Sequence, residues 1–152
     1  MDKQLFYLPE IDREATRKAV EGVLETARLY KQIGFVRRDM KNTPSYAPRF
    51  HGNTYAIGKP AEDVAVWNSD NEKRIVETSE RVERAVNRLS KKEKEIVIKR
   101  YLEDDEAYDY LICHELGMSE RSYRRVKARA MYKLAFMLKL EVMIEPEKVN
   151  VY

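Results

Sequence analysis

The chain has one cysteine, Cys113, five glycines and no apolar run near the roughly 18 residues that a membrane span needs, and each shortage removes a class of protein. A lone cysteine closes no intramolecular disulfide and builds no cysteine-based zinc site, which sets aside small secreted scaffolds and zinc fingers. Five glycines with no GxGxxG or GxxxxGK spacing supply no phosphate cradle. The longest apolar run, LAFML from Leu134 to Leu138, is too short to span a bilayer. The opening MDKQLFYLPEIDRE turns polar and acidic where a secretory peptide would stay apolar, so the expected compartment is the cytoplasm. What is present, 152 residues with 43% hydrophobic and 36% charged side chains, suffices for one globular domain or two small ones.

Net charge is only +3, but it is unevenly spread. Residues 61–118 carry 10 basic against 15 acidic side chains, whereas residues 119–152 carry 8 against 4. Within 119–129 stand Arg121, Arg124, Arg125, Lys127 and Arg129 against one acid, Glu120, so a polyanion is the partner to expect.

Residues 11–33 repeat apolar positions every third or fourth residue (Ala15, Val20, Val23, Leu24, Ala27, Tyr30), and Asp12 fits an N-cap; the pattern predicts an amphipathic helix in an N-terminal region, 1–38. Residues 39–60 hold Pro44, Pro48, Pro60, Gly52 and Gly58, a breaker density that predicts a linker, although Tyr46, Phe50 and Tyr55 make it unusually aromatic for one. Residues 61–145 read as a helical domain and 146–152 as a tail. In the helix expected over 61–89, Ile75, Thr78, Val82, Ala85 and Leu89 form a short heptad seam, open to two readings: a homodimer contact, or packing on the chain's own domain. Trp67 is placed to anchor that helix. Further helices are expected over 91–102, 108–116 and from Glu120 to about Met143, and no strand alternation interrupts them, so the fold class is all α.

Residues 109–128 have the spacing of a helix-turn-helix. Two helices that cross steeply need a small residue at the contact, a glycine able to take positive φ, and apolar residues at fixed offsets. Ile112 and Leu116 face inward, Cys113 is the small residue, Gly117 ends the first helix, Met118 plugs the turn, Ser119 caps the second helix, and Tyr123 and Val126 close the angle. At about 100° per residue, Arg121, Arg125, Ala128 and Tyr132 fall on the pole opposite Tyr123. Arginine forks match the two acceptors of guanine, and a small residue admits close approach or touches a thymine methyl. Arg121, Arg125, Ala128 and the flanking Arg124 are therefore the expected base contacts in a DNA major groove, with Ser119, Ser122, Lys127 and Arg129 on phosphates.

The segments LSKKEKEIVIKRYL and YLICHELGMSERSYRRVKARA resemble the C-terminal half of the ArpU family of phage transcriptional regulators, whose helix-turn-helix is itself similar to sigma factor region 4. Leu89, Ile96, Arg100, Tyr101 and Leu102 fit the segment ahead of the motif, and Ser119, Ser122, Tyr123, Arg125, Val126, Lys127 and Ala130 follow the family's order in the recognition helix. The opening LPEIDREATRKAVEGVLETARLYKQI resembles the family's as well, while the acidic run 103–106 departs from the short neutral turn of sigma-like proteins. The resemblance implies a regulator of late phage genes for packaging or lysis, acting on promoter or operator DNA in the bacterial cytoplasm. The alternatives are a small-terminase-like DNA-packaging protein and a sigma-like partner of RNA polymerase.

Other residues point to little chemistry. Cys113 and His114 are adjacent and His51 remote, so neither a metal set nor a nucleophilic triad has its spacing. Glu62 with Asp63, and the run 103–106, sit in strongly charged stretches without a desolvating surround. No enzyme activity, metal or cofactor is expected.

Overall fold

The computed structural model describes residues 10–40, 59–103 and 107–144. Among these it is all α: α1 Arg13–Ile33, α2 Pro60–Asn87, α3 Lys91–Val97 continuing into a π-helical segment Ile98–Glu103, α4 Asp109–Glu115 and α5 Glu120–Leu138. Residues 41–58 of the linker with its aromatics and His51, the 146–152 tail, and the acidic run beyond Glu103 lie outside the described residues.

Local chemistry sets the ends of these helices. The Asp12 carboxylate accepts from the Glu14 and Ala15 amides at 3.0 Å and opens α1. Gly34, at φ 70°, closes it with its amide on the Tyr30 carbonyl. Pro60 starts α2, where its missing N–H costs nothing. The last helix stops at Leu138, short of the expected Met143. Lys139 takes the left-handed conformation (φ 57°), and the amides of Lys139 and Leu140 turn back onto Phe136 and Ala135. The chain after the turn clips onto the residues before α1: Asp12 donates to the Val142 carbonyl, Ile144 to that of Glu10, and Val142 to the Thr16 hydroxyl, with an antiparallel bridge between Ile11 and Met143.

The N-terminal region is not a separate body. Val20 and Leu24 of α1 pack with Val82, Ala85 and Val86 of α2, Leu89, Val97, Tyr101 and the inner face of α5 (Ala130, Met131, Leu134, Ala135, Leu138) in one cluster. Fully burying each leucine or valine there contributes about 1.5 to 3 kcal/mol. The seam positions Val82, Ala85 and Leu89 are consumed in this core, with Ile75 and Thr78 half-buried, so the chain's own helices occupy much of the surface that a dimer through 61–89 would use. Trp67 takes the Arg38 guanidinium 3.5 Å above its ring and lies 6.4 Å from Phe35, while Asn68 bonds the Arg38 backbone, which docks the segment after α1 on α2. No helix among the described residues is long and apolar enough to cross a membrane.

Candidate nucleic-acid interface

The unit formed by α4, its turn and α5 is built on a second apolar cluster, in which Ile96 of α3, Ile112, Cys113 and Tyr123 are buried and Leu116, Met118 and Val126 half-buried. Gly117 sits at φ 62°, a conformation strained for any side chain. Its amide donates to the His114 carbonyl at 3.1 Å, and the Met118 amide to that of Cys113 at 3.0 Å. These two bonds are the Schellman pair that lets a helix end in one residue, and Met118 packs against the helix that it leaves. The Cys113 thiol donates to the Met118 carbonyl at 2.9 Å, so the residue serves the turn as well as the crossing. The Ser119 hydroxyl accepts from the Ser122 amide at 3.3 Å and caps α5.

Asp109, to which the sequence reading gave no role, joins the two helices. One carboxylate oxygen accepts from the Tyr123 hydroxyl at 2.9 Å and from the Arg100 guanidinium at 3.1 Å; the other accepts from the Lys127 ammonium at 2.7 Å. Partial burial would raise the Asp109 carboxyl, but bonds from Lys127 and Tyr123 and the nearby positive charges outweigh it and hold the group below its ordinary 3.8. The Tyr123 phenol is pushed up by its burial and by the same carboxylate. A second clamp joins α3 to α5. Glu93, 2% exposed, takes the Lys133 ammonium with both oxygens at 2.9 Å and the Ser90 amide with one of them. Burial would raise its carboxyl, and the bonds from Lys133 and Ser90 hold it below the usual value.

Against this frame the outer face of α5 is free. Arg121, Arg125, Ala128 and Arg129 are exposed, and the three arginines make no hydrogen bond or ion pair among the described residues. Ser119 and Ser122 are exposed at the start of the helix. Arg124 is exposed but shares its guanidinium with Glu120 at 3.4 Å, an i,i+4 pair worth about 0.3 to 0.5 kcal/mol that a stronger anion displaces. Lys127 departs from the phosphate role assigned to it. Four residues after Tyr123, it lies about 40° from it on the wheel, toward the core; its side chain is 19% exposed, tied to Asp109, with the ammonium 5.6 Å from the Tyr101 ring centroid.

The Asp109 clamp makes a pH prediction. Because its folded pKa is depressed, the stability that it contributes is present above the unfolded value and lost as pH falls through the folded one. Asp109→Asn is expected to lower stability at pH 7 by about 1 kcal/mol, a figure reduced for a half-exposed group, and the gap from wild type should close below about pH 4. Urea midpoints across pH test this; a gap independent of pH overturns it.

No family model and no solved structure matches the chain. It is similar to Protein Gp66 of Listeria phage A118, at 24% identity over 150 residues, covering 92% of this chain and 98% of that protein. The match runs through both the N-terminal helix and the α4–α5 unit, and it establishes a relationship to a phage-encoded protein.

Proposed function

We propose that this chain is a sequence-specific DNA-binding regulator of phage or prophage late genes, acting in the bacterial cytoplasm as a binding protein without catalytic activity. In this reading α4, the glycine turn and α5 form a helix-turn-helix, and α5 enters the major groove of promoter or operator DNA. The observation that carries it is the outer face of α5: Arg121 and Arg125, exposed and unengaged beside the small Ala128, on a helix braced from behind by Tyr123, Lys127 and Lys133. A braced helix fixes the spacing of the two arginines, so binding has their side chains to order but not the backbone that carries them. Arg129, Ser119 and Ser122 surround that face with phosphate donors, and Arg124, expected from the sequence on a base, joins them in this reading because it stands about 80° from the outer pole and is shared with Glu120. The setting in late packaging or lysis genes follows the ArpU-like sequence pattern, and the similarity to a phage protein supports a phage role.

Selection from a random duplex library tests the reading. The expected result is convergence on one motif, bound at least about a thousandfold more tightly than unselected duplex, with affinity falling steeply as salt rises. Equal affinity for all duplexes overturns sequence-specific regulation. Assembly into a large ring by light scattering would instead favour DNA packaging.

A further inference from the structure

Positive surface continues beyond the outer face of α5. Arg121, Arg125, Arg129, Lys133 and Met137 follow at intervals of four, and each step turns the row by about 40°. The row therefore winds off the outer face and reaches half-buried Met137 on the flank that meets α2. There Met137 shares an open hollow with Arg81, Arg84, Ala85 and Arg88. Arg81 donates to the Leu138 carbonyl at 3.0 Å and ties α2 to the end of α5. Arg84 and Arg88 are exposed, and their guanidinium groups make no hydrogen bond or ion pair among the described residues. Farther back along α2 the charge shifts: a separate hollow is lined by Glu72, Glu77 and Glu80 with Lys73 among them, and Glu72 pairs with Arg37, so the basic surface gives way there to a mixed, mostly acidic one.

We propose that Arg84 and Arg88 form a second phosphate-binding station, which holds the DNA backbone beside the bases met by α5. The proposal rests on the DNA-binding reading above and adds to it a surface outside the α4–α5 unit. The 12 steps from Arg125 to Met137 rise about 18 Å along α5, several times the roughly 3.4 Å between neighbouring charges on a DNA strand, so the two stations would meet different phosphates. Lys133, between them, spends its charge on Glu93. The band thus has two charged ends and a neutralised middle, the pattern of two discrete grips. A pair of guanidinium forks suits phosphate oxygens, and the acidic half of α2 turns the duplex away beyond them.

The test is fluorescence anisotropy of the full chain with a mixed-sequence duplex of about 30 base pairs, from about 50 to 200 mM salt. Losing two phosphate contacts lowers the salt slope by about 1.8, so over that fourfold rise wild type should lose about 12-fold more affinity than Arg84→Ala/Arg88→Ala. Arg84→Lys/Arg88→Lys should keep the wild-type slope. Lys18→Ala/Lys31→Ala, which removes the same charge from α1, should also keep it; an equal drop there makes the effect one of net charge and overturns the proposal. A wild-type slope in Arg84→Ala/Arg88→Ala, while Arg121→Ala/Arg125→Ala weakens binding, overturns this second station alone. Absence of binding by the wild-type chain overturns the DNA reading with it.

Discussion

Tyr123→Ala is expected to cost about 3 to 5 kcal/mol, the range for emptying a large aromatic site in a core, and to detach the outer face of α5 from its support. Tyr123 is 2% exposed and packs with Ile96, Ile112 and Cys113, so its removal leaves a cavity between α3, α4 and α5 larger than a shift of the neighbouring Met118 can fill. It also removes one of the three donors that hold the Asp109 carboxylate. Tyr123→Phe separates these contributions: the ring stays, the hydroxyl goes, and the cost falls to about 1 kcal/mol. Urea unfolding measures both through the midpoint, with the slope unchanged if the folded body is preserved. Equal costs for the two substitutions would show that the hydroxyl bond, not the packing, sets the angle between the helices. A domain of this size has about 5 to 15 kcal/mol in total, so the alanine variant should give up a large share of its stability and unfold at a clearly lower temperature than the phenylalanine variant.

Elements whose boundaries are written in local chemistry were legible in the sequence. Asp12, Gly117 and Ser119 each announce a helix end through a side chain or a backbone preference, and all three act where the pattern placed them, whereas Pro60, read as the last breaker of the linker, is the first residue of α2. The end of α5 was not legible, because Lys139, a residue with no preference for positive φ, takes the place that glycine usually fills, and the apolar spacing runs on past it. Of the residues expected around the DNA, Arg121, Arg125, Ala128 and Arg129 lie on the outer face as the wheel arithmetic places them. Lys127 lies beneath that face, tied to Asp109, as its angle near Tyr123 indicates, although a cation in a basic run reads by its chemistry as a phosphate donor. Asp109 was missed because its partners, 9 residues before it and 14 and 18 after it, stand on other helical segments, so the phase of its own helix says nothing about them. The packing of α1 on α2 and α5 was equally invisible, since a breaker-rich segment looks the same whether it separates two bodies or returns the chain to one core.

Arg125→Ala should cost about 1 to 3 kcal/mol in binding to a selected duplex, five- to 150-fold in affinity, and relax preference at one base position. The size follows from geometry. Arg125 lies next to the pole of the outer face, one turn after Arg121 and one before Arg129, with no acid of its own to satisfy. Its guanidinium therefore has five donors to offer a base edge at little cost in broken protein contacts. Arg121→Ala/Arg125→Ala should approach the affinity of unselected duplex. The flanking cations serve as contrasts because the structure gives them different attachments. Arg124→Ala first frees Glu120 at the start of α5, so its loss combines a weaker contact with an added negative charge near the DNA and should affect all sequences alike. Lys127→Ala releases Asp109 and should move the urea midpoint more than it moves DNA affinity. Titrations of the four variants against selected and scrambled duplexes separate the roles: discrimination should weaken without Arg125, nearly vanish without Arg121 and Arg125 together, persist without Arg124, and persist without Lys127 wherever that variant is folded. If the Arg125 variant discriminates as well as wild type, another face of the protein reads the bases, and the unengaged arginines of α5 act only as a counter-charge to the backbone.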